Sequence, residues 1–260
     1  MLTFLGYTLI FLALLVSLYV VIRPEAGSQP FLRTAAMWTQ SSPFLLLSLS
    51  FLFEATSLDL VSSYVGEGLP LFYRISAVWG SRSGPLLMWA SMMSIIAWLM
   101  SRDTTTDSAT VRIIHLWTFL LLLISAGLRP FSPAIPGSAG EISPLLQTDL
   151  MVIHPPVVFV YYSLCLATAS IAVSGLIRSR PSSETHASMI PWARYSFLAG
   201  TIGIGLGGLW AYTVLDWGVI GHGIQSRPDH YSHGSHFWLY FTQEPGRRRP
   251  IPTHYRPRSQ

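Results

Sequence analysis

The chain has 260 residues, half of them apolar and 11% charged, with no lysine, and its formal net charge is +4 at neutral pH. An ordinary soluble domain spreads its apolar residues through one core, whereas here they fall into charge-poor blocks about as long as a helix that crosses a hydrocarbon layer. That arrangement excludes a soluble globular enzyme of this length.

Six such blocks follow one another: Leu2–Ile22, Phe44–Val65, Pro85–Met100, Val111–Leu128, Val152–Ile177 and Pro191–Leu215. The first lacks the basic start of a secretory leader and is long for one, so it reads as a retained helix. The second carries Glu54 and Asp59, and the third is short. Alternating strand and helix signals are absent, as are fixed repeats. The expected fold is all-α, a polytopic membrane helical bundle of about six transmembrane helices, with structured outer loops and an irregular C-terminal tail. Residues 1–217 form the membrane region and 218–260 the tail.

Arginine placement predicts the orientation. Connections after the first, third and fifth blocks, taken with the first residues of the block each leads into, hold Arg23, Arg33, Arg102, Arg112, Arg178, Arg180 and Arg194, against Arg74, Arg82 and Arg129 after the second and fourth. The positive-inside rule then puts the N-terminus outside a cell or inner membrane. Residues 1–217 carry ten arginines and ten acids, so the whole basic excess lies in residues 218–260, with five of the eight histidines.

Between the blocks, Gly66–Gly84 reads as an outer loop whose aromatics suit the water–lipid boundary. The loop Arg129–Met151 holds Pro130, Pro133, Pro136 and Pro144, so it cannot be helical throughout and must fold on the outer surface. His154 opens the fifth block, followed by two prolines placed at a helix's first turn, where a missing N–H costs little. A neutral imidazole there suits a metal or haem iron, and equally suits a backbone carbonyl. His115, in the fourth helix, and His186, in a cytoplasmic loop, read as structural. Cys165 rules out a CxxC or CxxCH pair, being the single cysteine, and reads as a buried thiol packing as a small hydrophobe. In the sixth block Gly203 and Gly207 form a small-xxx-small face for close helix approach, and Trp210, Tyr212 and Trp217 crowd its outer end.

Three of these stretches carry a family resemblance. YRISAVWGSRSGPLLMW resembles the YKxSxxWGGxxGSLLLW segment of the CcmF-type cytochrome c maturation proteins, the haem lyase family. ISPLLQTDLMVIHPPVVFVYY resembles that family's LNPLLQ…IHPPxxYxGY, and GIGLGGLWAYTVLDWG resembles GxxLGxxWAYxxLGWGG. Ser81, Ser83 and Ser143 depart from the pattern. The resemblance implies a WWD-domain protein that presents haem b on an outer, tryptophan-rich surface and passes it to apocytochrome c. It implies His154 as a haem axial ligand and Trp79, Trp210 and Trp217 as aromatics at the haem surface. It also implies other cytochrome c maturation membrane proteins as partners beside membrane lipid, and a haem lyase component as the enzymatic role.

After Gly218 the resemblance stops, where the family continues WWxWDPVE. Taking the third base of each codon with the first two of the next permits the reading WGGDWAWDPVETGSLFPWLALLALLH. Tryptophan has one codon and requires a following GG-starting codon, a condition met at Ile220/Gly221, His222/Gly223 and His233/Gly234. A one-base deletion near the Gly218 codon is therefore expected; it would scramble the family's haem-binding core, so an inactive truncated fragment is one expectation, and the basic tail then needs no nucleic acid partner. An alternative uses the tail as written: His230, His233 and His236, every third residue beside Asp229, as zinc or copper ligands. A third option is a scaffold or transporter with Glu54 and Asp59 on an ion path.

Overall fold

The computed structural model describes residues 1–214 except 67, 104–105, 138 and 144–145. Helix α1 (Leu2–Ile22) ends at a 3₁₀ turn over Pro24–Ser28, and α2 (Pro30–Leu52) returns beside it. Two short helices, α3 (Asp59–Tyr64) and α4 (Leu71–Gly80), cross the end where α2 stops. Then α5 (Gly84–Met100), α6 (Ser108–Gly127), α7 (Asp149–Ile177) and α8 (Ser182–Val214) run back and forth. The end holding α3, α4 and the α6–α7 connection is the loop-rich end.

By length and composition α1, α6, α7 and α8 can each cross a membrane, and the α4–α5 pair, bent by 90°, makes a fifth candidate. The expected six is not reached by this measure because α2 carries Gln40, Ser41 and Ser42 at mid-length. Gln40 and Ser41 turn inward, while Ser42 Oγ donates back to Thr39 O of its own helix. Gln40 Nε2 donates to Ser17 Oγ and to His115 Nδ1, both at 2.9 Å, and Ser41 meets Ser94 of α5 at 2.9 Å. His115 is therefore a buried structural residue, as expected. Inside an apolar layer, polar groups need such partners, since water is not there to supply them. Around them pack Leu47 and Phe51 of α2, Leu87 and Met93 of α5, and Ile114 and Leu122 of α6.

Several boundaries differ from the sequence reading. The second block does not run from Phe44 to Val65. The helix starts at Pro30 and stops at Leu52, where Glu54 takes a φ of 51° and the Glu54 and Ala55 N–H groups bond back to the Phe51 and Ser50 carbonyls. This is a Schellman stop, and Glu54 occupies its left-handed position in place of glycine. Glu54 then pairs with Arg74 at 2.7 Å, and Asp59 opens α3, so neither acid lies within a spanning helix. The Gly66–Gly84 stretch is not all loop, since it contains α4. The last helix begins at Ser182 rather than Pro191, which places His186 on a helix and exposed. Cys165 is half-buried, not buried, with Sγ 3.0 Å from Ser196 Oγ.

The proline-rich connection is folded onto the loop-rich end, as expected. Asp59 N–H donates to Ser132 O, Ala134 N–H to Ser57 O, Gly140 N–H to Ser62 O and Ile142 N–H to Tyr64 O. Phe131 is wholly buried, with its ring seated against Gly6 of α1 so closely that a Cβ there would run into it. At the opposite end Asp107 caps α6 by accepting from Thr110 N–H at 2.9 Å. It also accepts from Ser174 Oγ of α7 at 2.6 Å and from Arg180 at 2.9 Å. Burial pushes this carboxyl up, but the Ser174 hydroxyl, the Thr110 N–H and the Arg180 guanidinium together hold it below its ordinary value.

Candidate functional site

His154 lies in the second turn of α7, which starts at Asp149 under a Thr148 cap whose hydroxyl accepts from Met151 N–H at 3.3 Å. Its ring faces α8. A Cβ at Gly207 would sit 2.9 Å from His154 Cε1, one at Gly203 3.4 Å from Val158 Cγ2, and one at Gly200 2.8 Å from Tyr161 Cε2. The small-residue face predicted from Gly203 and Gly207 therefore exists, extends to Gly200, and receives α7. Gly207 makes the space that the imidazole fills.

Trp210, one turn on along α8, stands edge-on to His154 with ring centroids 5.8 Å apart. His154 Nδ1 and Trp210 Nε1 are both buried without a hydrogen-bond partner among the described residues. An unsatisfied buried polar atom is costly; seven others occur among the described residues, Trp89 Nε1 and Gln40 Oε1 included, so what sets this pair apart is the edge-on contact of the two rings. A second aromatic group lies deeper: Trp89 of α5 packs on Phe159 and Tyr162 of α7 at 5.9 and 5.6 Å.

The two prolines after His154 are in the interior of α7, not at its first turn as the sequence reading placed them. Proline has no N–H, so Pro155 and Pro156 leave the Met151 and Val152 carbonyls without their helical donors. Trp79, at the end of α4, supplies one substitute: its indole N–H donates to Met151 O at 2.7 Å. Trp79 is thus at the same end as His154, but its polar edge is committed to the backbone. The bend between α4 and α5 brings it there. Ser81 Oγ donates to Val78 O at 2.6 Å and accepts from Gly84 N–H, and a Cβ at Gly84 would collide with the Val78 carbonyl oxygen.

Of the other residues singled out, Trp217, His230, His233 and His236 lie outside the described residues, as does the whole 218–260 tail. Among the described residues no three of His, Cys, Asp and Glu come together as a metal site. The sequence reading missed the Trp79–Met151 bond, although a proline four residues after Met151 signals an acceptor in want of a donor. It also passed over Asp107, whose place just before SATVRIIHLW is that of a helix cap.

A family model described as "Cytochrome C assembly protein" matches residues 79–219, more than half of the chain. The chain is 30% identical over 239 residues to the cytochrome c-type biogenesis protein NrfE of Haemophilus influenzae, covering 84% of this chain and 37% of that one. It is 28% identical over 186 residues to the cytochrome c-type biogenesis protein CcmF of Escherichia coli, covering 67% of this chain and 28% of that one. Among solved structures, the cytochrome c heme lyase CcmF superposes with a TM-score of 0.64 at 21% identity, over 84% of this chain and 37% of that one. The chain thus spans about a third of the length of these relatives, and shares their multi-pass membrane helical fold. The chain belongs to the cytochrome c assembly protein family.

Proposed function

We propose that this chain handles haem b for cytochrome c biogenesis, with His154 as the axial ligand at the loop-rich end of α7 and α8. The observation that carries the reading is the half-buried imidazole seated on Gly207, with Nδ1 and the neighbouring Trp210 Nε1 both lacking partners among the described residues. An imidazole held between two helices beside an indole fits an iron porphyrin, which needs one nitrogen donor and an apolar aromatic wall. When bound, haem would supply the vinyl groups that form thioether bonds to an apocytochrome. The chain's own part is to hold and orient: α7 and α8 fix the ring plane, and Trp210 furnishes the wall. Trp79 stands at the same end.

The loop-rich end is the outer face in this reading, which puts the N-terminus outside, in agreement with the arginine distribution. His154 is about 13 Å from the midpoint of the 29-residue α7 at 1.5 Å per residue, near the edge of a hydrocarbon layer about 30 Å thick. Apocytochrome c and other maturation membrane proteins are the partners. Residues 218–260 form a separate, out-of-frame segment. The end of the family match at residue 219, one residue beyond Gly218, supports that division.

Hemin titration of the purified chain in lipid nanodiscs tests the ligand. A Soret band that His154→Ala abolishes and that added imidazole restores is expected. A band unchanged by His154→Ala would refute the assignment, and zinc retained stoichiometrically by the tail histidines would favour the metal-binding alternative.

A further inference from the structure

We propose that Trp79 is a positioning residue for His154, its indole N–H standing in for the backbone N–H that Pro155 lacks. This rests on the haem-handling reading of His154 for its functional consequence, and on geometry alone for the linkage. Met151 O belongs to the helical turn that carries His154, three residues before it, and in an unbroken helix would accept from residue 155. Proline at 155 removes that donor. The Trp79 indole reaches the same oxygen at 2.7 Å from a different helix.

The rest of α4 is shaped to deliver it. Gly80 lets the chain pass close to Met151 Cε, Ile142 Cδ1 and Leu146 Cδ1, which a Cβ would meet at 3.3, 3.4 and 3.8 Å. Tyr73 OH donates to Asp149 Oδ1 at 3.5 Å, a weaker second tie to the first residue of α7. Helix α4 therefore lies against the start of α7 with one strong polar link. That link fixes the turn on which the imidazole rides. Trp79 in this role acts through a carbonyl and not through its ring face, which distinguishes it from an aromatic that stacks on a porphyrin.

Pro155→Ala makes the distinction measurable, because alanine restores the helix's own donor to Met151 O and removes the ring clash with the preceding turn. Four full-length chains in nanodiscs are compared: parent, Trp79→Phe, Pro155→Ala and the double variant. Hydrogen exchange of residues 149–154 is followed by mass spectrometry, and hemin affinity by Soret titration. Losing one buried hydrogen bond should speed exchange by about tenfold and weaken hemin by about three- to tenfold in Trp79→Phe. In the Pro155→Ala background the same change should alter either readout by less than about twofold. Equal effects in both backgrounds would overturn the proposal in favour of a ring-face role, and so would no effect in either. If the parent chain bound no hemin, the haem reading would fail while the exchange measurement still decided the linkage.

Discussion

Replacing Gly207 by alanine would put a methyl group 2.9 Å from His154 Cε1, with Nε2 and Nδ1 at 3.5 and 3.6 Å. Ordinary van der Waals contact begins at 3.4 Å, so the ring must retreat by about half an ångström. For stability two effects oppose each other. Alanine gains up to about 1 kcal/mol over glycine inside a helix, and crowding a packed contact costs about 1–3 kcal/mol. The net is a loss of about 0–2 kcal/mol, small enough for the chain to fold. Binding is more sensitive to position, because the ring that moves is the ligand itself: a cost of about 1.4 kcal/mol on its ligating pose weakens hemin about tenfold. Gly208→Ala is the matched control: the same propensity gain next door, with no atom within 4 Å of the new methyl. Soret titration with thermal unfolding, run on both variants in the same nanodiscs, separates the two effects. Identical hemin affinities for Gly207→Ala and Gly208→Ala would refute the idea that the glycine face sets the imidazole's position.

Two further expectations concern the other end of the bundle and the gene. Because the Asp107 carboxyl is held below its ordinary value of 3.8, its stabilisation is fully present above the unfolded value and disappears as pH falls through the lower folded one. Asp107→Ala should therefore lower the unfolding temperature at neutral pH, by the equivalent of about 1–2 kcal/mol for the lost cap and its partners. The gap from the parent should narrow below about pH 4; a pH-independent gap would contradict the ion-pair account. Sequencing the coding DNA across the Gly218 codon should yield an uninterrupted WAWDPVE reading in the shifted frame, and codons incompatible with those triplets would end that explanation.

The helical membrane fold was legible because charge-poor apolar blocks of this length have few other uses. The error in the second block has a clear cause. Hydropathy averages over Phe44–Val65, whereas the chain turns at Glu54, a residue type that does not announce a left-handed helix stop as glycine would. The starts of α7 and α8 were misjudged for a related reason. Proline suits a helix's first turn and the apolar run of α8 opens at Pro191, yet Pro155, Pro156 and Pro191 are all internal, tolerated where side chains from elsewhere can serve the freed carbonyls. Cys165 was misread because burial in a partly lipid-facing helix cannot be inferred from apolar neighbours. At the site, Gly203 and Gly207 were readable as a close-packing face. That the imidazole of His154 occupies the space over Gly207 was not, since spacing within one helix says nothing about the register of the next.

The carbonyl bridge from α4, the stitched α6–α7 connection and the Asp107 cluster have a joint mechanical consequence. Helix α7 is fastened to α1–α6 near both of its ends: at the loop-rich end through Trp79, and at the other through Ser174 and Asp107. It behaves as a stator. Helix α8 is tied differently, by Arg180 at the turn where it begins, by Ser196 to Cys165 at mid-length, and beyond that by the glycine face against α7. Uncovering the His154 ring then requires the α7–α8 glycine seam to part at its Gly207 end.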